Sequence, residues 1–221
     1  MGKHLFLMGG GPPMPGELAK IFAGLAGEGT VVLLYIPRKG MRIEEYSSVY
    51  TAPVSSQSTH VQFSFVSIKE SYPSSELNQL RKADGIMIGG GDTVRYQQGI
   101  VQTEAASIIR DLYAKGVPVA GFSAGALIAP ETCVISPKDT KEGGPLYKGG
   151  LGLVKDVVVA AHYLSWKEED HLKQAVHKAG VDAGYGIADQ SGIYLTEQGM
   201  TAVEGYVYVE RSYSSFMQGK G

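Results

Sequence analysis

The chain has 221 residues, a formal net charge of −2 and one cysteine. A length of this order suits one domain over residues 1–221, and the near-neutral charge excludes the basic surfaces that bind nucleic acid or an anionic membrane. The single thiol, Cys133, excludes disulfide frameworks and cysteine-based zinc sites and fits a cytoplasmic location. The first apolar run, within "KHLFLMGG", is too short for a signal-peptide core, and no run approaches the roughly 18 residues of a membrane span.

In chain order, "KHLFLMGG" reads as a strand and "GELAKIFAGLAGEG" as a helix closed by glycine. "TVVLLYIP" is a strand, "RIEEYSSVY" a helix, and "HVQFSFVSI" an alternating strand. "SSELNQLRKADG" has Leu77, Leu80 and Ala83 at helical spacing; "GIMIGGG" is a strand, "TEAASIIRDLYAKG" a helix and "VPVAGFS" a strand. Strands apolar throughout and separated by helices specify a mostly parallel, doubly wound α/β sheet with helices on both faces. The later part is richer in strands: "TCVIS", "VKDVVVAAHYL", "GYGIADQSGIYLTEQG" and "MTAVEGYVYVERS", with one amphipathic helix, "KEEDHLKQAVHKAG". "PKDTKEGGPLYKGG" reads as a long polar loop, a surface excursion or the edge of a site. The tyrosine-rich "EGYVYVERSYSSF" reads as a strand packed on its own domain or on a second subunit, so monomer and homodimer both stay open.

Ligands of open α/β sheets bind beyond the carboxyl ends of the strands. Ser123 stands at such an end, in Gly121-Phe122-Ser123-Ala124-Gly125. This G-x-S-x-G pattern marks a tight strand-to-helix turn that exposes a nucleophilic hydroxyl, with the next amide at a helix N-terminus able to stabilise an oxyanion. The alternative is a glycine-rich turn whose serine caps a helix. A second strand ends in Gly89-Gly90-Gly91-Asp92-Thr93. If it neighbours the Ser123 strand, its amides can supply another oxyanion donor; a phosphate loop is disfavoured because no G-K-[ST] follows.

A serine nucleophile needs a base. His4 and His60 begin strands, at the wrong end of a parallel sheet, and His171 and His177 lie on a charged helix as solvated residues. His162 ends an apolar strand and is the candidate base. Asp189, in "GIADQSGIYL", is either the acid that orients it or part of a β-turn. Another wiring would use Asp139 or Asp156 as acid and His171 or His177 as base.

The order Ser123, His162, Asp189, with "GGGDT" ahead of "GFSAGA" and His162-Tyr163 after a strand, resembles the S51 serine peptidases, which include the aspartyl dipeptidases called peptidase E and the cyanophycinases. The resemblance covers most of the chain. It implies a class I glutamine amidotransferase-like three-layer sandwich, no metal and no cofactor. It implies Ser123 as nucleophile, His162 as base, and Ala124 with Gly90 or Gly91 as the oxyanion hole. The expected partner is a small peptide substrate, either a dipeptide or a short peptide, with N-terminal Asp as one option. The alternative is a weakly active or non-catalytic small-molecule-binding protein of the same fold. Two departures stand out. The family's late glutamate matches Gln190, one position past Asp189, so either residue is a candidate to face His162. The segment after the histidine, "HYLSWKEEDHLKQ", carries Lys167 and three acids but no arginine. Lys167, Arg95, Asp92 and Thr93 are therefore the candidate substrate contacts.

Overall fold

A computed structural model describes residues 2–141 and 143–212. Its strands are β1 (Leu5–Met8), β2 (Thr30–Tyr35), β3 (Gln62–Ser67), β4 (Gly85–Ile88), β5 (Val119–Phe122), β6 (Thr132–Ile135), β7 (Leu146–Gly149), β8 (Val157–Ala160), β9 (Ala183–Ile187), β10 (Gly192–Thr196), β11 (Gly199–Glu204) and β12 (Val207–Arg211). The helices are α1 (Gly16–Ala26), α2 (Ile43–Ser55), α3 (Ser74–Arg81), α4 (Thr93–Tyr96), α5 (Glu104–Ala114), α6 (Ala124–Leu127) and α7 (Glu169–Ala179).

Seven strands form the main sheet in the order β11-β10-β1-β5-β4-β2-β3. β1, β5, β4, β2 and β3 are mutually parallel; β10 and β11 extend the sheet antiparallel beyond β1. Alternating side chains sort to opposite faces. Leu5, Leu7, Val32, Leu34, Ile86 and Ile88 join one core cluster with Leu77 and Leu80 of α3 and Ile109 and Leu112 of α5. Phe6, Met8, Val31, Leu33, Met87 and Phe122 join the other, with Leu18 and Phe22 of α1 and Tyr50 and Val54 of α2. Both faces are thus covered, which is why these strands read as continuous apolar runs.

A second sheet, β12-β9-β8, packs on α7 through Val158, Ala160, Tyr163, Leu172 and Val176. The chain leaves this small sheet after β9 and enters the main sheet at β10, crossing between them at residues 188–191. One sequence reading changes here. Part of the polar loop after Ser136 is strand: β7 pairs antiparallel with β6. The described part of the tyrosine-rich tail, as β12, pairs with β9 of its own chain; residue 142 of the loop and 213–216 of the tail lie outside the described residues. Among the described residues no helix is long and apolar enough to cross a membrane.

Candidate functional site

The turn after β5 answers why its serine is fenced by glycines. A Cβ on Gly121 would lie 2.4 Å from the Gly125 carbonyl oxygen, and one on Gly125 would lie 2.3 Å from the Ile88 carbonyl oxygen. No side chain fits at either place, because α6 is pressed against β4 and β5. Ser123 itself holds φ 48° and ψ −105°, a region non-glycine residues rarely occupy. Its amide donates to the Met8 carbonyl and its carbonyl accepts from Leu127, so the strained residue is pinned from both sides. Ala124 N–H opens α6 and is among the donors a helix leaves without an intrahelical acceptor.

His162 arrives from the small sheet, two residues past β8, also in the left-handed region at φ 52°. Its amide donates to the Gly9 carbonyl at 2.7 Å, which ties it to the loop after β1. His162 Nε2 is 2.9 Å from Ser123 Oγ, and Nδ1 is 2.6 Å from Asp189 Oδ1. The other carboxylate oxygen of Asp189 accepts from Ser165 Oγ at 2.6 Å. Partial burial pushes the Asp189 carboxyl up, but the hydrogen bonds from Ser165 and His162 outweigh it and hold the group below the usual carboxylate range. Trp166 stacks on the His162 ring at 4.5 Å between centroids. The sequence "HYLSWKE" makes this possible by folding into a compact turn: Trp166 N–H donates to the His162 carbonyl and Glu168 N–H to the Tyr163 carbonyl.

Gln190, the other candidate acid, is exposed at φ 54°, and among the described residues its side chain makes no hydrogen bond. The crossover turn, with a left-handed residue at Gln190, breaks the strict alternation of a strand.

β4 lies next to β5, so the glycine triplet reaches the serine. A Cβ on Gly90 would come 3.5 Å from that of Ser123. The Gly90 amide, however, already donates to Tyr50 Oη at 3.1 Å. Tyr46, Tyr50 and Tyr96 converge beneath the triplet; a Cβ on Gly89 would meet the Tyr96 and Tyr46 hydroxyl oxygens at 2.8 and 2.9 Å. Burial pushes all three phenols up, so they stay neutral. Gly91 has φ 145° and lines the open cleft in front of Ser123.

That cleft has a volume of about 290 Å³ and is walled by the loop after β1, by Tyr46 and Tyr50 of α2, by Gly90 and Gly91, and by Arg38. Arg38 is the cation sequence reasoning missed. It sits in the loop after β2, which the strand order carries beside β4. The two expected cations lie elsewhere. Arg95 lines a separate groove with Lys69 and Glu70, and Lys167 is exposed outside the cleft. Asp92 caps α4 by accepting from the Arg95 amide, and Thr93 Oγ1 donates to Asp139 Oδ2 at 2.5 Å.

A second, small cavity shares Ser123 and His162 with the cleft and is lined also by Ser136, Asp139, Glu168 and His171, among others. The expectation of a solvated His171 is corrected: its side chain is only 14% exposed and faces Glu168. Of the acids considered for another wiring, Asp139 reaches this cavity, whereas Asp156 is exposed at the start of β8; His177 is exposed on α7. Two larger grooves, about 920 and 810 Å³, run along α7 and β12 and contain none of Ser123, His162 or Asp189. Among the described residues no group of three or more His, Cys, Asp or Glu stands in a metal-holding arrangement.

The fold is shared with solved structures. A peptidase E candidate from Listeria monocytogenes EGD-e superposes with a TM-score of 0.62 at 20% identity, covering 96% of this chain and 100% of that one. A peptidase from an acI-B1 Actinobacterium gives 0.62 at 16% identity, covering 96% and 88%. At these identities the likeness is one of fold. No curated protein sequence matches the chain. The model of peptidase family S51 matches residues 5–203, nearly the whole chain, and the protein belongs to that peptidase family.

Proposed function

We propose that the protein is a serine peptidase that hydrolyses dipeptides or short peptides through Ser123, His162 and Asp189 and an acyl-enzyme. The observation that carries this reading is the unbroken relay from Ser123 Oγ to His162 Nε2 at 2.9 Å and from His162 Nδ1 to Asp189 Oδ1 at 2.6 Å. Asp189 fixes the tautomer with the proton on Nδ1, which leaves Nε2 free to take the serine proton. Ser123 Oγ then attacks the scissile carbonyl carbon, and the imidazolium passes its proton to the departing amine. Water, deprotonated by the same nitrogen, cleaves the ester and restores the hydroxyl. Ala124 N–H and, because the Gly90 amide is engaged by Tyr50, Gly91 N–H are the donors for the oxyanion. Trp166 stacked on His162 favours the imidazolium that forms between the two proton transfers. Arg38 is placed to meet a substrate carboxylate in the open cleft.

The test is release of free amino acids from a dipeptide panel with Asp, Arg, β-aspartyl and neutral N-terminal residues. Ser123→Ala is expected to abolish turnover. Asp189→Asn should lower kcat by about ten-thousand-fold, the loss a triad suffers when its carboxylate becomes an amide. Gln190→Glu should leave kcat within a factor of about two, since the exposed side chain has no role in the relay; a large gain would assign the acid to position 190 instead. A Ser123→Ala protein as active as its parent would overturn the reading.

A further inference from the structure

We propose that the small cavity at Ser123 is the subsite for the free α-ammonium group of the substrate, with Glu168 as its counter-charge and Asp139 as the second carboxylate. This rests on the peptidase reading above and names what that site selects: peptides whose first residue has an unblocked amine.

Glu168 is the starting point. It is only 2% exposed. Oε1 accepts from Ser136 Oγ at 2.9 Å, whereas Oε2 is buried and has no hydrogen-bond donor among the described residues. Glu168 directly precedes α7, and its backbone carbonyl accepts from Leu172 N–H, but its carboxylate accepts no N–H of that helix. The nearest basic atom is His171 Nε2, 3.8 Å from Oε2, and burial lowers the basicity of that imidazole, so it is neutral at neutral pH. Lys138 and His162 attract the charged carboxylate and Glu169 repels it, but burial outweighs these and pushes the group up. A buried carboxylate oxygen without a donor is unfavourable and is retained where a partner arrives. Asp139, on the same cavity wall, is satisfied by Thr93 on one oxygen. A donor that carries positive charge would satisfy Oε2 and balance the carboxylate together.

Size and position identify it. The cavity has a volume of about 10 Å³, room for the centre of one water-sized group. An –NH₃⁺ group is that size; a guanidinium is not. In a peptide substrate the α-nitrogen is bonded to the Cα that bears the scissile carbonyl, so it falls next to the nucleophile. Ser123 and His162 are themselves walls of this cavity. A metal ion is a poor occupant, because the required trio of ligands is not assembled among the described residues. Polarity across the site agrees. Acids line the small cavity and Arg38 lines the larger cleft, and Ser123 belongs to both. A free dipeptide carries its positive and negative ends in that same order.

The experiment compares the best-cleaved dipeptide of the panel with its N-acetyl form, in wild type, Glu168→Gln and Asp139→Asn. In wild type the acetyl cap should lower kcat/KM by about 100-fold or more, the scale of losing a buried charge-paired contact. In Glu168→Gln, KM for the free dipeptide should rise by more than kcat falls, and the ratio between free and capped substrate should shrink by about tenfold. Asp139→Asn should shift the same ratio less. Wild type labelled at Ser123 by an amine-free fluorophosphonate, yet cleaving capped and free dipeptides equally, would overturn the subsite and leave the peptidase standing. Neither labelling nor turnover would overturn both. If Glu168→Gln does not fold, the comparison in wild type still decides.

Discussion

Ser123 and His162 hold φ angles of 48° and 52°, and each such non-glycine residue costs on the order of 1–3 kcal/mol. Both are held by backbone hydrogen bonds to the end of β1 and the loop it enters: Ser123 N–H to Met8, the last residue of the strand, and His162 N–H to Gly9, the first of the loop. That junction therefore sets the distance between hydroxyl and imidazole, although it contributes no reacting group. Ser165 plays the corresponding part for the acid. With its hydroxyl on Asp189 Oδ2, the carboxylate is held by one donor on each oxygen. Ser165→Ala removes one of them. Hydrogen bonds to charged groups are worth about 1.5–3 kcal/mol, so kcat should fall by about tenfold while KM is nearly unchanged. The freed carboxylate becomes a stronger acceptor for His162 Nδ1–H, and the acid limb of the pH–rate profile should move to higher pH. A profile that keeps its position while kcat falls would leave Ser165 only a packing role. The glycine fence is tested separately: Gly125→Ala forces a Cβ to 2.3 Å from the Ile88 carbonyl, so soluble yield or activity should be lost.

At the scale of elements, the sequence carries the sheet clearly. Apolar runs ended by glycine fall on β1, β4 and β5, and the amphipathic segments fall on α1, α5 and α7. The reason is physical: each run is buried on both faces and must stop where the chain turns toward the site. Legibility ends where the turn conformation decides. Spacing alone could not choose between Asp189 and Gln190, because the left-handed residue in the crossover breaks the strand period. Arg38 was invisible because its place depends on β2 lying beside β4, a matter of strand order. Glu168 looked like one of three surface acids, yet the turn after His162 buries it and leaves Glu169 and Asp170 outside. The same elements offer a contrast in glycines. Gly24 is exposed within α1, and a Cβ there meets nothing within 4 Å. Gly24→Ala should therefore stabilise the protein by about 0.4–1 kcal/mol, read as a higher denaturant midpoint at unchanged activity.

Over the whole molecule, the acids of the site make stability depend on pH in opposite senses. Asp189 has its folded pKa held down, so its contribution is present above the ordinary carboxylate range, near about 4, and is lost as pH falls through the lower folded value. Glu168 and Asp139 have theirs pushed up, first of all by burial. Their folded forms hold protons more tightly than the unfolded chain does. That contribution is complete below the unfolded carboxylate values and is lost as pH rises through the raised folded values. The charged form of Glu168 thus costs stability, in the very place where recognition of an ammonium group would use it. Glu168→Gln keeps a carbonyl oxygen for Ser136 and removes that charge. Its melting temperature should exceed that of wild type by about 2–4 °C at neutral pH, the shift that one kcal/mol produces in a protein of this size. The gap should narrow as pH falls through the raised folded value, where wild type regains the proton. A variant that melts below wild type by the same margin at every pH would mean that the carboxylate is satisfied where it stands. A variant more stable at neutral pH but weaker toward free dipeptides would show stability given up at one side chain for recognition of an ammonium group.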